Sequence, residues 1–288
     1  MAGSMEGKVA FVTGAARGQG RSHAVRLAAE GADVIAVDIC TQIESVPYPL
    51  ATGADLAETA RLVEERGRRI VTRVADVRER SQLGAALADG VAELGRPDVV
   101  VANAGISPLG AAAEATRWFD AVAVDLVGVI NTVEAAYPYL TAGASIVCIG
   151  SMAAMLQGSV DGSAAGPGGA GYAHAKRAVA RFVHDLALQL APGNIRVNAV
   201  HPGNIDTDML QNDMMYRLFR PDMEHPARED AEPLFRSAHK LPVTTIDPKD
   251  VSEAVLFLAS DASRYITGQQ LKVEAGALLP TTTSGTPA

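Results

Sequence analysis

Residues 8–20 read KVAFVTGAARGQG, an apolar run that passes directly into three glycines, Gly14, Gly18 and Gly20. An apolar run without polar alternation is typical of a strand that is covered on both faces of its sheet. Glycines after such a strand let the backbone turn tightly and approach a pyrophosphate, whose charge is stabilised by amides at the N-terminus of the next helix. The stretch therefore predicts a dinucleotide-binding βαβ unit, the alternative being a Gly-rich turn without a ligand.

The same alternation continues along the chain. Further apolar runs begin at residues 33, 69, 97, 144, 195 and 269. Amphipathic segments at 20–30, 55–66, 81–94, 116–140, 171–191 and 248–259 predict the helices between them. The pattern predicts the α/β class: a doubly wound Rossmann fold whose seven-stranded parallel sheet has helices on both faces. In such a fold the ligand binds at the carboxyl ends of the strands.

Length and composition limit the number of domains, the kinds of partner and the compartment that the sequence predicts. The 288 residues show no break that would suggest two units, so a single domain over 1–288 is expected. The net charge of -8 argues against a nucleic-acid partner. No stretch approaches the roughly 18 apolar residues of a membrane helix, so no membrane partner is expected. The two cysteines lie far apart, and the N-terminus lacks the apolar core of a secretion signal, which favours the reducing cytoplasm.

An acidic residue ends the second predicted strand. Asp38 stands 18 positions after Gly20, where a carboxylate can accept hydrogen bonds from the hydroxyls of an adenosine ribose. The same charge would repel a 2′-phosphate, so the sequence favours NAD over NADP. Arg17, within the glycine loop, is the counterargument because it could face such a phosphate. The position of Asp38, held by its strand, makes it the stronger indicator.

A tyrosine and a lysine four positions apart predict the chemistry. Tyr172 and Lys176, in YAHAK, project from one face of a predicted helix. Lowering a tyrosine pKa from about 10 by three units requires roughly 4 kcal/mol of preferential stabilisation of the phenolate. Lys176 and a positively charged nicotinamide ring could supply it. Ser151, at the end of the fifth strand, would then position the oxygen of a substrate alcohol or ketone.

The spacing T-G-x-x-x-G-x-G resembles the short-chain dehydrogenase/reductase family. The resemblance implies Ser151, Tyr172 and Lys176 as the catalytic group. Asp125 aligns with an asparagine that holds a proton-relay water in many relatives, and a carboxylate could accept a hydrogen bond from that water but could not donate one. The cofactor contacts implied are Gly14, Arg17, Gly18, Gln19, Gly20, Asp38, Ile39, Asp76, Val77, Asn103, Ala104, Gly105, Tyr172, Lys176, Pro202, Gly203, Ile205 and Thr207. No metal site is implied, because His201, Asp206 and Asp208 share a loop without a ligand-helix pattern.

Two segments exceed what the fold requires. Residues 40–53 form a long connection with Pro47 and Pro49, and we interpret this segment as a clasp that slows release of NAD. The resemblance implies that residues 208–245 are the substrate lid, whose candidate substrate contacts are Met209, Met214, Met215, Leu218 and Phe219; packing between subunits is the alternative. Ser151 and Tyr172 are 21 positions apart, more than is usual in the family, so residues 162–169 are expected to loop out.

Four stretches narrow the resemblance to the carveol dehydrogenase-like, mycofactocin-associated branch. They are the segment from Asp38 to Val71, GAARGQGRSHAVRLAAEGADVIAVD, MYRLFRPDMEHPAREDAEPLF and ITGQQLKVEAGALLP. The branch implies oxidation of a hydrophobic secondary alcohol, some substrates being cyclic terpenoids, by tightly bound NAD that mycofactocin reoxidises. It also implies a homotetramer. The alternatives are a 3-oxoacyl reductase-type enzyme, which commonly prefers NADPH, and a non-catalytic NAD-binding sensor or scaffold.

Overall fold

The structure is a computed structural model that describes residues 3–110, 114–156 and 165–280. Within these residues one sheet contains seven strands, all paired in parallel, in the order β3-β2-β1-β4-β5-β6-β7. The strands are β1 Val9–Thr13, β2 Asp33–Asp38, β3 Ile70–Val74, β4 Val99–Ala102, β5 Ser145–Ile149, β6 Arg196–Pro202 and β7 Gln270–Val273. The predicted doubly wound Rossmann fold is confirmed. The order reverses between β1 and β4, which places the ligand crevice at the carboxyl ends of these strands.

Helices cover both faces of the sheet. They are α1 Gly18–Ala29, α2 Gly53–Glu64, α3 Arg80–Leu94, α4 Ala115–Val122, α5 Gly128–Ala136, α6 Gly166–Leu190, α7 Asp213–Phe219, α8 Arg228–Ala238 and α9 Pro248–Ala259. Phe11 and Ile35 pack with residues of α3, α5 and α6. Val12 and Val34 pack with residues of α1, α2 and α9 on the opposite face. Successive apolar residues of one strand therefore serve two cores, which explains the absence of polar alternation.

The helix that carries Tyr172 begins earlier than predicted. Helix α6 starts at Gly166 rather than at 171. The loop that was expected over 162–169 is therefore wrong for residues 166–169, which are helical, while residues 162–164 lie outside the described residues. A Cβ atom at Gly168 would lie 1.9 Å from the carbonyl oxygen of Pro108, and one at Gly171 would lie 2.7 Å from that of Trp118. These glycines permit close packing of a helix, although glycine-rich composition ordinarily indicates a loop.

The predicted helix at 116–140 is interrupted. Helix α4 ends at Val122, a π-helical turn spans Ala123–Val127, and α5 follows before a short 3₁₀ turn at Tyr137–Tyr139. The amphipathic pattern could not reveal this break, because a π turn changes the register by one residue without a special sequence. The break matters because Asp125 lies within the π turn and is completely buried.

The lid contains more structure than a connection requires. Helices α7 and α8 lie within residues 208–245 and share a small apolar cluster of Leu210, Tyr216, Ala231 and Phe235. The rings of Phe219 and Phe235 meet edge to face with centroids 4.7 Å apart. The lid therefore has a core of its own, separate from the two cores on the faces of the sheet.

Candidate active site

The glycine loop turns sharply between β1 and α1. Gly14 has a φ of +66°, in the left-handed region that favours glycine. A Cβ atom at Gly20 would lie 1.9 Å from the carbonyl oxygen of Gly14, so the first turn of α1 passes directly over the strand end. Asn103, after β4, holds this turn by donating from Nδ2 to the carbonyl oxygens of Thr13 at 2.9 Å and Gly14 at 3.2 Å. The loop is thus fixed from the neighbouring strand.

A cleft runs along the carboxyl ends of the strands from Asp38 to Lys176. Most of the expected cofactor contacts line it: Gly14, Arg17, Gly18, Gln19, Gly20, Asp38, Ile39, Asp76, Val77, Asn103, Ala104, Gly105, Tyr172, Lys176 and Thr207. Gln19 also contributes a buried side-chain oxygen, Oε1, that has no hydrogen-bond partner among the described residues. The cleft joins an acid at one end to a tyrosine and a lysine at the other, which suits an extended dinucleotide.

Asp38 is fixed as a hydrogen-bond acceptor. Its Oδ2 accepts from the N–H of Ala16 at 3.0 Å and its Oδ1 accepts from the N–H of Cys40 at 3.1 Å. The carboxylate is buried at the end of β2 and lines the cleft. After the neighbouring strand β3, Asp76 also lines the cleft and accepts from the Arg78 guanidinium at 2.6 Å. The acid predicted to select the ribose is therefore held by the backbone of the glycine loop itself.

Three side chains converge where the cleft ends. Ser151 follows β5, its hydroxyl oxygen accepts from the N–H of Ala153 at 3.1 Å, and its side chain acts to lower the pKa of Tyr172 of α6. Nζ of Lys176 lies 5.7 Å from the centre of the Tyr172 ring and donates to the carbonyl oxygen of Ile149 at 3.0 Å. All three residues are partly or wholly buried. The structure thus brings together the serine, tyrosine and lysine that the sequence analysis selected.

Asp125 contacts Lys176 directly. Its Oδ1 lies 3.2 Å from Nζ of Lys176 and accepts from the N–H of Ile106 at 3.3 Å, while Oδ2 is buried without a partner among the described residues. Burial raises the pKa of Asp125 to about 6, although Lys176 opposes the rise. Burial also opposes the charge on Lys176, but Asp125 and Tyr172 outweigh it and raise the pKa of Lys176 above its usual value. The two residues form a buried ion pair.

The ion pair changes the electrostatics that the sequence analysis expected. Lys176 does lower the pKa of Tyr172, but burial has the larger effect and Asp125 opposes the lysine, so the pKa of Tyr172 lies above its ordinary value. Among the groups of the chain itself, Lys176 lowers the pKa of Tyr172 by less than burial and Asp125 together raise it, and the share that was assigned to the nicotinamide ring stays a prediction. The main physical reason is burial, which disfavours the charged phenolate, and the carboxylate of Asp125 beside Lys176 adds to it.

A second cavity, of about 520 Å³, lies on the other side of Tyr172. Ser151 and Tyr172 line it together with apolar lid residues, namely Met209, Leu210, Met215, Leu218 and Phe219. Three expected cofactor contacts, Pro202, Gly203 and Ile205, line this cavity, and Thr207 lines both spaces. Met214, also expected here, lies against Gly110 instead. Tyr172 therefore stands between a dinucleotide-sized cleft and an apolar chamber.

Sequence analysis missed the contacts of the clasp, residues 40–53. Tyr48 is buried, and its hydroxyl accepts from the N–H of Ser107 at 3.0 Å, just beyond β4. Gln42 Nε2 donates to the carbonyl oxygens of Ile43 and Val46, both at 3.1 Å, and so holds the segment in one shape. An aromatic residue flanked by Pro47 and Pro49 was the available signal, because two prolines hold the residue between them in a restricted conformation.

Arg17 joins the clasp to the lid. Its guanidinium donates to the carbonyl oxygen of Pro49 at 2.5 Å and lies 2.8 Å from the carboxylate of Asp208. The side chain is thus engaged with the two segments that border the cleft. This arrangement weakens the suggestion that Arg17 serves to receive a 2′-phosphate, since its charge is already matched by Asp208.

Comparisons with known proteins agree with this geometry. The family whose model matches residues 14–277 is described as enoyl-(acyl carrier protein) reductase. The (-)-trans-carveol dehydrogenase of Rhodococcus erythropolis is 42% identical over 280 residues, covering 96% of this chain and 99% of that protein. The chain belongs to the short-chain dehydrogenase/reductase family. The predicted resemblance is confirmed at that level, and the chain is an oxidoreductase of this family.

Solved structures of the family superpose over nearly the whole chain. Carveol dehydrogenase from Mycobacterium avium in complex with NAD is 47% identical, with a TM-score of 0.89 and coverage of 96% of this chain and 100% of that one. A short chain dehydrogenase from Mycobacterium paratuberculosis bound to NAD is 40% identical, with a TM-score of 0.83 and coverage of 96% and 99%.

Among the described helices, none combines the length and the apolar character needed to cross a bilayer.

Proposed function

We propose that this chain uses NAD to interconvert a hydrophobic secondary alcohol, of the cyclic terpenoid class, and its ketone. The observation that carries the proposal is the position of Tyr172, whose side chain lines both the dinucleotide-sized cleft and the apolar chamber. Relatives named for carveol dehydrogenase activity and for binding NAD support the same assignment. NAD rather than NADP follows from Asp38, whose buried carboxylate would repel a ribose phosphate.

The proposed mechanism divides the reaction between three side chains. When bound in the cleft, NAD would supply the hydride acceptor for the alcohol, and NADH the hydride donor for the ketone. The phenolate of Tyr172 takes the hydroxyl proton of the alcohol during oxidation, and the phenol returns it during reduction. Ser151 donates a hydrogen bond to the substrate oxygen and positions it. Lys176 favours the phenolate and would hold the nicotinamide ribose of bound NAD, and Asp125 holds Lys176.

We infer further that NAD remains bound between turnovers and that mycofactocin reoxidises it. The contacts of the clasp support retention: Tyr48 is tied to Ser107, and Arg17 to Pro49. Residues 40–53 would have to lose these contacts together before the dinucleotide could leave. Mycofactocin is proposed because the branch that this chain resembles is associated with that carrier.

The cofactor proposal is tested by its retention. Purified protein is denatured, and the released nucleotide is identified and counted before and after extensive dialysis. We expect NAD or NADH in near-stoichiometric amount in both samples. Turnover of a cyclic secondary alcohol is then measured with an artificial electron acceptor, and afterwards with reduced and oxidised mycofactocin. Freely dialysing nucleotide would overturn the retention proposal. Retention of NAD without turnover of any secondary alcohol would instead support the sensor or scaffold alternative.

The 3-oxoacyl reductase alternative predicts a different outcome. Such an enzyme would consume added NADPH with a 3-oxoacyl thioester. We expect no such activity, because Asp38 faces the position that the extra phosphate would occupy and Arg17 is paired with Asp208. Oxidation of NADPH by the thioester at a rate above that of the alcohol reaction would favour the alternative.

The proposal includes the organisation of the protein. We propose that residues 1–288 form one domain that assembles as a homotetramer in the cytoplasm. Phe119, Leu188 and Tyr265 expose large apolar side chains, which supports burial against other subunits. Native mass measurement is expected to give four chains, and a monomer at micromolar concentration would contradict the assembly.

Tyr48→Phe is expected to shorten the retention time of bound NAD about tenfold, since loss of a hydrogen bond to a buried amide costs about 1–3 kcal/mol. The change keeps the ring but removes the oxygen that accepts from Ser107. Retention is measured as the rate at which labelled NAD leaves the protein during dilution into unlabelled NAD. Tyr137→Phe, at an exposed tyrosine, is the control. Equal retention in the two variants would show that the tether does not limit release.

Asp125→Asn is expected to move the pH dependence of alcohol oxidation toward lower pH. The change removes a negative charge that raises the pKa of Tyr172, so the phenolate forms at lower pH. The amide oxygen can still accept from Ile106. The measurement is kcat across the pH range, and the ratio of acidic to alkaline values should increase. Asp185→Asn, an exposed carboxylate of α6, is the control. A shift toward higher pH would contradict the assignment.

A further inference from the structure

His201 occupies a buried position directly behind Ser151. It lies near the end of β6 and is completely shielded from solvent. Its Nδ1 is 3.2 Å from the backbone nitrogen of Ser151 and 3.0 Å from its carbonyl oxygen. On the other side of the ring, Nε2 is 2.6 Å from Oε1 of Gln270 on β7. The ring therefore contacts Ser151 through Nδ1 and Gln270 through Nε2, and these two contacts depend on which ring nitrogen carries the proton.

The partner of Gln270 determines the tautomer. Nε2 of Gln270 donates to the carbonyl oxygen of Ala180 at 3.1 Å, which turns Oε1 of the amide toward His201. An amide oxygen only accepts, so Nε2 of His201 must carry the proton. Nδ1 is then the acceptor for the N–H of Ser151, and it has no proton to donate to the Ser151 carbonyl oxygen 3.0 Å away. Burial lowers the pKa of His201, which favours the neutral ring that this arrangement needs.

These contacts form one chain of hydrogen bonds across the end of the sheet. The chain runs from Ala180 on α6 through Gln270 on β7 and His201 on β6 to Ser151 after β5. Helix α6 also carries Tyr172 and Lys176. A Cβ atom at Gly150 would lie 2.4 Å from Nδ1 of His201, so glycine is required before the serine for the ring to approach. The serine and the tyrosine are thus aligned through a network outside the cleft.

We propose that His201 is a positioning residue that holds Ser151 in register with Tyr172 through its neutral Nε2–H tautomer. The proposal rests on the proposed function, since alignment matters only if Ser151 and Tyr172 act on one substrate oxygen. Nδ1 holds the backbone of Ser151, and the Ser151 hydroxyl, whose oxygen accepts from the N–H of Ala153, keeps its own proton to donate to the substrate oxygen. Gln270 acts on Ser151 indirectly, because it determines which ring nitrogen of His201 carries the proton.

The variants separate this role from simple packing. His201→Leu removes the acceptor and is expected to lower kcat for the alcohol about 10- to 100-fold, corresponding to one lost buried hydrogen bond. KM and the content of bound nucleotide should remain unchanged. His201→Asn places an amide oxygen near the position of Nδ1 and should restore kcat to within about threefold of the wild type. His184→Leu, at an exposed position of α6, is the control.

A spectroscopic measurement keeps the test independent of turnover. The ¹⁵N spectrum of labelled imidazole distinguishes the two neutral tautomers, and the His201 signal is assigned by its loss in His201→Asn. We expect the Nε2–H tautomer in the wild type and a mixture of the two neutral tautomers in Gln270→Leu. The Gln270→Leu variant also tests the proposal if His201→Leu does not fold. An Nδ1–H form, or equal losses of kcat in the leucine and asparagine variants, would overturn the proposal. An inactive wild type with the Nε2–H form would count against the proposed function alone.

Discussion

Tyr172→Phe is expected to lower kcat for a cyclic secondary alcohol about a thousandfold, or about 4 kcal/mol in activation free energy, because a positioned acid or base contributes 10²–10⁴. The ring remains to line both cavities, so the content of bound NAD should not change. The measurement is single-turnover reduction of the bound NAD by the alcohol, which reports hydride transfer without the second electron acceptor.

The matched control for Tyr172 is a tyrosine of the surface. Tyr137→Phe removes a hydroxyl from a side chain that is 55% exposed, and it should leave single-turnover reduction unchanged. A Tyr172→Phe rate within a few-fold of the wild-type rate would remove this residue as the acid and base. A rate that falls together with the content of bound NAD would assign the effect to cofactor binding instead.

Lys176→Met is expected to lower the free energy of unfolding by about 3–5 kcal/mol, since breaking a buried ion pair leaves the other charge without a partner. The remaining charge is that of Asp125, whose contact with Nζ of Lys176 is 3.2 Å. The stability of the variant should also depend on pH. Without Lys176 the pKa of Asp125 rises above the value of about 6 that it has beside the lysine.

The sign of this pH dependence follows from proton binding. In the unfolded chain the carboxyl of Asp125 loses its proton near pH 3.9, whereas in the folded variant it keeps the proton to a higher pH. Between these two pKa values unfolding releases a proton, so the free energy of unfolding falls as pH rises, by about 1.4 kcal/mol per pH unit. The stabilising contribution is complete below the unfolded pKa and is lost through the folded pKa, which lies above 6. The stability of the wild type also falls as pH rises, but this fall ends at a lower pH because Lys176 lowers the pKa of Asp125.

The double variant decides whether the ion pair is the cause. Lys176→Met combined with Asp125→Asn removes both charges, so it should recover most of the lost stability and remove the pH dependence that Asp125 causes. Urea unfolding at pH 6, 7 and 8, at one protein concentration, measures all three proteins. If the double variant is as unstable and as pH-dependent as Lys176→Met, the loss reflects packing of the lysine stem rather than the unpaired carboxylate.

The parts of the site that were predictable depend on local spacing. Gly14, Gly18 and Gly20 follow a strand at short range, and Tyr172 and Lys176 share a helix face whatever the remainder of the chain does. Asp125 shows where such reasoning stops. Its position was available from alignment, but its direct contact with Lys176 depends on a π turn and on complete burial.

The sequence by itself determined the seven parallel strands, the glycine turn and the tyrosine and lysine that share a helix face, because these depend on periodicity and on contacts between near neighbours. Only the tertiary structure decided that Tyr48 reaches Ser107, that Arg17 joins Pro49 to Asp208, and that His201 lies behind Ser151. Each of these contacts joins residues at least 32 positions apart. Their partners are selected by strand order and by loop closure, which no local pattern records.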